Sequence, residues 1–193
     1  LRVFRVDHLL DNGREGKGSW GEQWRTARTA HHSRALVRGD VLMLGKPSLG
    51  LRLEILHPPM NEWDAWQGND ASVVARLTQH GRGLALFLGD AERPVLRRLL
   101  NNGDDLRAEV LVAPHHGSAT GFLPEFYEAV QPGLVVASCG FENRYGYPSQ
   151  PLREWCAAAN APLYYTGRDG AVRIIWPARG GSLGPPAVHS ARP

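Results

Sequence analysis

The spacing of hydrophobic and polar residues changes period several times along this chain, and each change marks an expected element. Residues 1–50 are the least regular: an apolar stretch at 1–10, a Gly-rich polar segment at 11–21, and a helix expected over 22–32. Two strands are expected at 40–44 and 51–56. The second stops at His57-Pro58-Pro59, where two prolines offer no ladder donors. Residues 72–78 and 84–88 flank Gly81-Arg82-Gly83 and predict a hairpin. Its second arm is almost continuously apolar, as an inner strand buried on both faces should be. Gly89-Asp90 ends it, and a helix follows with Pro94 in its first turn, Leu96, Leu99 and Leu100 on one face, and Asn101-Asn102-Gly103 as its stop. A strand at 109–113, a helix at 123–130, a strand at 134–138, a loop at 140–148 and a helix at 151–159 come next. A closing hairpin is expected between 162–166 and 171–176, turned by Gly167-Arg168-Asp169-Gly170. From residue 179 Gly, Pro and Ser dominate, which predicts a flexible tail over 179–193 after a domain spanning 1–178. Mixed hairpins and helical crossovers point to an α/β layered sandwich.

Composition narrows the class. At 193 residues with 42% hydrophobic and 21% charged residues, the chain suits one folded domain with a real core. No run approaches the length of a membrane-spanning helix, and no secretory signal opens the sequence. It begins with Leu1 rather than Met, as an excised domain or a shortened reading frame would. The net charge of +3 and the pI near 9.1 are mildly basic, a weak pointer to nucleic acid. Only Lys17 and Lys46 are lysines; the Arg bias suits phosphate binding and genome composition equally. Cys139 and Cys156 form no C-x-x-C pair, so both read as small core residues.

The chemistry sits at strand ends. The apolar run 84–88 delivers Asp90, and 110–113 delivers His115 and His116. Open sheets place their sites at such ends, and a carboxylate with imidazoles suits a Zn²⁺ or Mn²⁺ ion. Taken singly, Gly-Asp is an ordinary helix cap and a His pair an ordinary solvated one. The tryptophans read as packing residues, with Trp63 and Trp66 the two near enough to the expected site to stack on bases. Arg93, Arg97 and Arg98 read as a solvated helix face, with a DNA-backbone contact as the alternative.

Taken together, the runs Asn69-Asp70-Ala71-Ser72, Leu88-Gly89-Asp90, Pro114-His115-His116-Gly117-Ser118, Asn143-Arg144-Tyr145-Gly146-Tyr147-Pro148 and Thr166-Gly167-Arg168-Asp169-Gly170, in this order, resemble the C-terminal metallo-β-lactamase-like domain of the ComEC/Rec2 DNA-uptake family. The resemblance covers roughly residues 35–176. It implies a four-layer αββα sandwich, shortened at its N-terminal side, with two divalent ions (Zn²⁺ or Mn²⁺) at the rim. Asp90 matches the bridging carboxylate, His115 or His116 a late ligand, and Asn69 a position where many relatives carry a further metal-binding His. Ser118, Asn143, Arg144 and Tyr147 match positions expected to contact substrate. The implied activity is metal-dependent phosphodiester hydrolysis of single-stranded DNA, in which two ions activate water and stabilise the developing charge. The implied partner is the rest of a membrane-embedded DNA channel, and the implied location is the outer face of a bacterial inner membrane. Two departures stand against a working site. The superfamily's H-x-H-x-D-H run is absent, and Tyr147 replaces the His of N-R-Y-G-H-P; a phenol with a pKa near 10 is a poor zinc ligand. The alternatives are a degenerate DNA-binding or assembly domain without activity, and a soluble hydrolase of small esters or phosphoesters.

Overall fold

Most of the apolar runs read from the pattern hydrogen-bond into one sheet. In the computed structural model, which describes residues 6–16 and 18–192, β1 (His8–Asp11), α1 (Gly18–Ala30) and β2 (His32–Ala35) precede it. The sheet comprises β3 (Val41–Leu44), β4 (Leu51–His57), β5 (Val74–Gln79), β6 (Arg82–Phe87), β7 (Val110–Val112), β8 (Leu134–Ala137) and β9 (Leu163–Tyr165), neighbouring one another in that order. The first four strands pair antiparallel through hairpins and loops, and β6 to β9 pair parallel. Parallel pairing needs long crossovers. Three helices supply most of them: α2 (Arg93–Asn101), α3 (Pro124–Val130) and α4 (Gln150–Ala158).

Alternation along the strands decides what each face touches. Leu86, Leu111 and Val135 point to the helices, where Val95, Leu96, Leu99, Phe126, Tyr127 and Leu152 meet them in a closed core. Their neighbours Ala85, Val110 and Leu134 point the other way and form a second cluster with Ile174, Trp176 and Val188. That opposite face is covered by a two-stranded ribbon of β10 (Val172–Ile175) and β13 (Ala187–Ser190). Between them lies the small β11 (Ala178–Arg179) and β12 (Ser182–Leu183) pair. The α/β sandwich is therefore a helical layer, a seven-stranded sheet and a short second sheet.

Two expectations are corrected. Residues 163–165 and 172–175 do not form a hairpin: β9 joins the main sheet, a four-residue helix α5 (Thr166–Asp169) turns the chain, and β10 crosses to the other face. Among the described residues, the expected flexible tail is tied to the domain. β13 pairs with β10, Val188 packs alongside Ile174 and Trp176 against the cluster of Ala85, Val110 and Leu134, and Arg82 donates to the carbonyls of Leu183 and Gly184. Gln79 Oε1 also accepts from the Leu183 N–H at 2.9 Å. Helix α1 starts four residues before the expected 22, and part of the apolar stretch at 1–10 lies outside the described residues. No described helix is long and apolar enough to cross a membrane.

Candidate functional site

The site is built where β6 and β7 end. Gly89 has φ +55°, and a Cβ there would come within 3.1 Å of Ser72. Glycine thus lets the chain turn tightly after Leu88, and the Ser72 hydroxyl accepts the Asp90 N–H at 3.1 Å. After β7 the chain enters a single tight turn, Pro114–Gly117, in which His115 and His116 both adopt left-handed backbone, φ 46° and 60°. Such conformations cost non-glycine residues about 1–2 kcal/mol each. The turn is pinned by the His115 N–H on Gly89 O (2.9 Å) and the Ser118 N–H on His115 O (2.9 Å).

This brings Asp90 and His116 together, with Nε2 3.3 Å from Oδ1 and both side chains about half exposed. The His116 Nδ1 lies 2.8 Å from Ser138 O. A carbonyl only accepts, so Nδ1 carries the proton and Nε2 presents its lone pair toward the carboxylate unless the ring is charged. A backbone carbonyl orienting an imidazole in this way is what a metal-ligating histidine usually has. His115 faces elsewhere: its Nδ1 sits 3.0 Å from Glu92 Oε1 and 3.3 Å from Thr120 Oγ1. Glu92 also accepts from Asn69 Nδ2 at 3.2 Å, while its own N–H is capped by Asp70 Oδ1 at 2.9 Å. The hydrogen bond from Asn69, joined by Thr120 and His115, holds the Glu92 carboxyl below its ordinary range. Behind Asp70 lies His57, buried against Trp66 and donating Nε2–H to Asp70 O at 2.8 Å. Burial pushes its pKa down.

The other expected residues have the following contacts. Asn69 is turned onto Glu92 and not toward Asp90. Ser118 is buried, its hydroxyl engaged with the Thr120 side chain and N–H. Asn143 clamps its own loop, giving Nδ2 to Tyr147 O (2.8 Å) and taking the Tyr147 N–H (2.9 Å). Arg144 is exposed over the Tyr145 ring, and Tyr147 stacks on Tyr145 and meets the His115 ring edge-on. Arg93 and Arg98 are structural: the first donates to Phe122 O and Ala119 O, and the second pairs with Glu62. Trp66 packs on the core; the side chain of Trp63 lies outside what is described. Cys156 is buried as expected, whereas Cys139 is half-buried beside Tyr147 O. Glu92, Thr120 and Ser138 escaped the motif reading. Glu92 had one signal, an acid beside the start of α2, where negative charge is favoured.

As a metal centre this arrangement is partial. A zinc site takes three or four protein ligands, and among the described residues no three His, Cys, Asp or Glu side chains share one ion-sized position. Asp90 and His116 offer two donors, so the described residues do not by themselves make a two-ion centre.

No protein-family model matches the chain. It is 28% identical over 146 residues to ComE operon protein 3 of Bacillus subtilis, covering 76% of this chain and 18% of that protein. It is 33% identical over 126 residues to competence protein ComA of Neisseria gonorrhoeae, covering 65% of this chain and 18% of that protein. Among solved structures, a metal-dependent hydrolase from Parabacteroides distasonis aligns over 84% of this chain and 77% of its own, with 13% identity and a TM-score of 0.47. A Zn-dependent hydrolase of the metallo-β-lactamase superfamily from Thermotoga maritima aligns over 83% and 81%, with 9% identity and a TM-score of 0.42. The chain is thus similar to two competence proteins, the kind its motifs resemble, and spans 18% of the length of each.

Proposed function

We propose that this chain is the hydrolase portion of a competence protein, carrying part of a divalent-metal centre that acts on the phosphodiester backbone of single-stranded DNA. Asp90 and His116 are its ligands in this chain, and the remaining ligands come from outside the described residues. The observation that carries the reading is the 3.3 Å between Asp90 Oδ1 and His116 Nε2. Neighbouring donors on a tetrahedral ion with bonds of about 2.0–2.1 Å stand about 3.3 Å apart. One carboxylate and one imidazole suit Zn²⁺ or Mn²⁺. Of the two histidines, His116 is the ligand, because Ser138 O fixes its tautomer while His115 is held by Glu92. In this reading the domain works on the outer face of a bacterial inner membrane, joined to a DNA channel; the similarity to competence proteins is the support.

The test is a Co²⁺ titration followed by visible absorbance and repeated with Asp90→Ala and His116→Gln. Weak binding lost in both variants is expected. Binding unchanged in either one removes that residue from the centre. A second reading, a DNA-binding or assembly domain without catalysis, is favoured by the two-donor inventory and by Tyr147. No metal-dependent signal in the unaltered chain supports it.

A further inference from the structure

The loop between β8 and α4 presents large rings to solvent: Phe141 is 69% exposed and Tyr145 62%. The loop is braced. Besides the Asn143 clamp, Thr166 Oγ1 accepts the Cys139 N–H at 2.9 Å and donates to Cys139 O at 2.7 Å. Gly167 lies so close beneath that a Cβ there would come within 2.6 Å of Gly140 O. The exposed rings therefore stand on a fixed base. They also lead somewhere: Tyr145 and Tyr147 stack at 5.4 Å and 19°, Tyr147 lies 6.2 Å from the His115 ring, and that ring 6.1 Å from His116. Beside this run is a cleft of about 450 Å³ lined by Phe141, Tyr147, Tyr165 and Arg168. Cations accompany the rings, with the Arg144 guanidinium 4.7 Å from the centre of Tyr145 and that of Arg192 6.0 Å from Phe141. The acids nearby are Glu142, in the same loop, and Asp169, which is paired with Arg168.

The geometry points to a base-stacking subsite for single-stranded nucleic acid, with Phe141 and Tyr145 as the platforms and Arg144 as a phosphate contact, aligned with the Asp90–His116 pair. Aromatic faces flanked by cations bind unpaired bases of any sequence, because every base has a π-face. A duplex keeps its bases stacked inside and cannot use them. The inference rests on the single-stranded DNA reading above, but its test needs no metal.

Fluorescence anisotropy in EDTA, on the whole chain, would compare a labelled oligothymidylate, an abasic strand with the same phosphates, and a duplex. The expected order is oligothymidylate tightest. Phe141→Ala and Tyr145→Ala should each weaken it about fivefold or more and leave the abasic strand unchanged, while Tyr145→Trp restores binding. Three outcomes overturn the subsite: no oligothymidylate binding by the unaltered chain, equal affinity in alanine variants that circular dichroism shows to be folded, or an equal loss on the abasic strand. Failure of the metal centre shows separately, in the cobalt titration.

Discussion

At the scale of single residues, the candidate site is a set of side chains fixed by their neighbours. Glu92 is the hub: Asn69 and His115 both lie within bonding distance of one of its carboxylate oxygens, and its depressed pKa records that these contacts favour the charged form. A depressed carboxyl contributes stability that is present above its unfolded value, near 4.5, and is lost as pH falls through its lower folded value. The advantage of the unaltered chain over Glu92→Gln in urea unfolding is therefore expected at pH 7 and should vanish in acid; a pH-independent difference would place the effect in packing instead. His57 behaves differently. Desolvation lowers its pKa, so below about pH 6.5 the unfolded chain takes up a proton that the folded chain refuses. Stability is full above that value and declines as pH falls through it toward the lower folded pKa. His57→Gln, which keeps a donor for Asp70 O, should flatten this slope. The closeness of Asp90 and His116 was legible in the sequence because each follows an apolar strand. Glu92, Thr120 and Ser138 were not, because their roles arise only where separate turns meet. Asn69 and Ser118 show the converse: motif positions whose side chains bond their own surroundings.

At the scale of elements, β6 shows how a tight backbone approach fixes a strand. Gly83 sits where the sheet passes Arg107: a Cβ there would lie 1.9 Å from Arg107 O, and Gly83 O already accepts the Glu109 N–H at 3.1 Å. Gly83→Ala must push the two backbones apart at the root of β6 and β7, the strands that carry the site. Overpacking of this kind costs about 1–3 kcal/mol, and thermal unfolding should show it; an unshifted midpoint would mean the two segments part freely. The β5–β6 hairpin was legible from alternation and turn chemistry, its tip formed by His80 and Gly81 at positive φ. The crossing of β10 was not. Leu163 and Val172 begin short apolar stretches around a Gly-flanked turn, which is the signature of a hairpin, and local pattern cannot say that one stretch completes the main sheet while the other seeks a partner further along the chain.

At the scale of the whole molecule, that partner is the segment whose composition suggested disorder. Val188 alone contributes to a buried cluster, but the pairing of β13 with β10 and the docking by Arg82 and Gln79 tie the segment to two sheets. Truncation after Arg179 should lower the melting temperature by at least about 5 °C, given that 1 kcal/mol corresponds to roughly 2–4 °C at this size; an unchanged value would restore the detached tail. The same view of the whole bears on catalysis. Hydrolysis by a metal centre needs ions held tightly enough to stay, and affinity follows ligand number and geometry. Asp90 and His116 form one donor pair, and among the described residues no third His, Cys, Asp or Glu joins them at an ion-sized position. His57 is 1% exposed and bonded to Asp70 O, His31 Nδ1 lies 3.0 Å from Val6 O, and His32 stands beside His8 at a ring distance of 6.0 Å. Single-stranded DNA incubated with this chain and Mn²⁺ or Zn²⁺ is therefore expected to remain intact, with the unaltered protein and Asp90→Ala indistinguishable. Robust cleavage that disappears in Asp90→Ala would overturn the two-donor account. It would require His31, His32 or His57 to leave its present partner and complete the centre, which His57 could do only by giving up its bond to Asp70 O and exposing the core behind it.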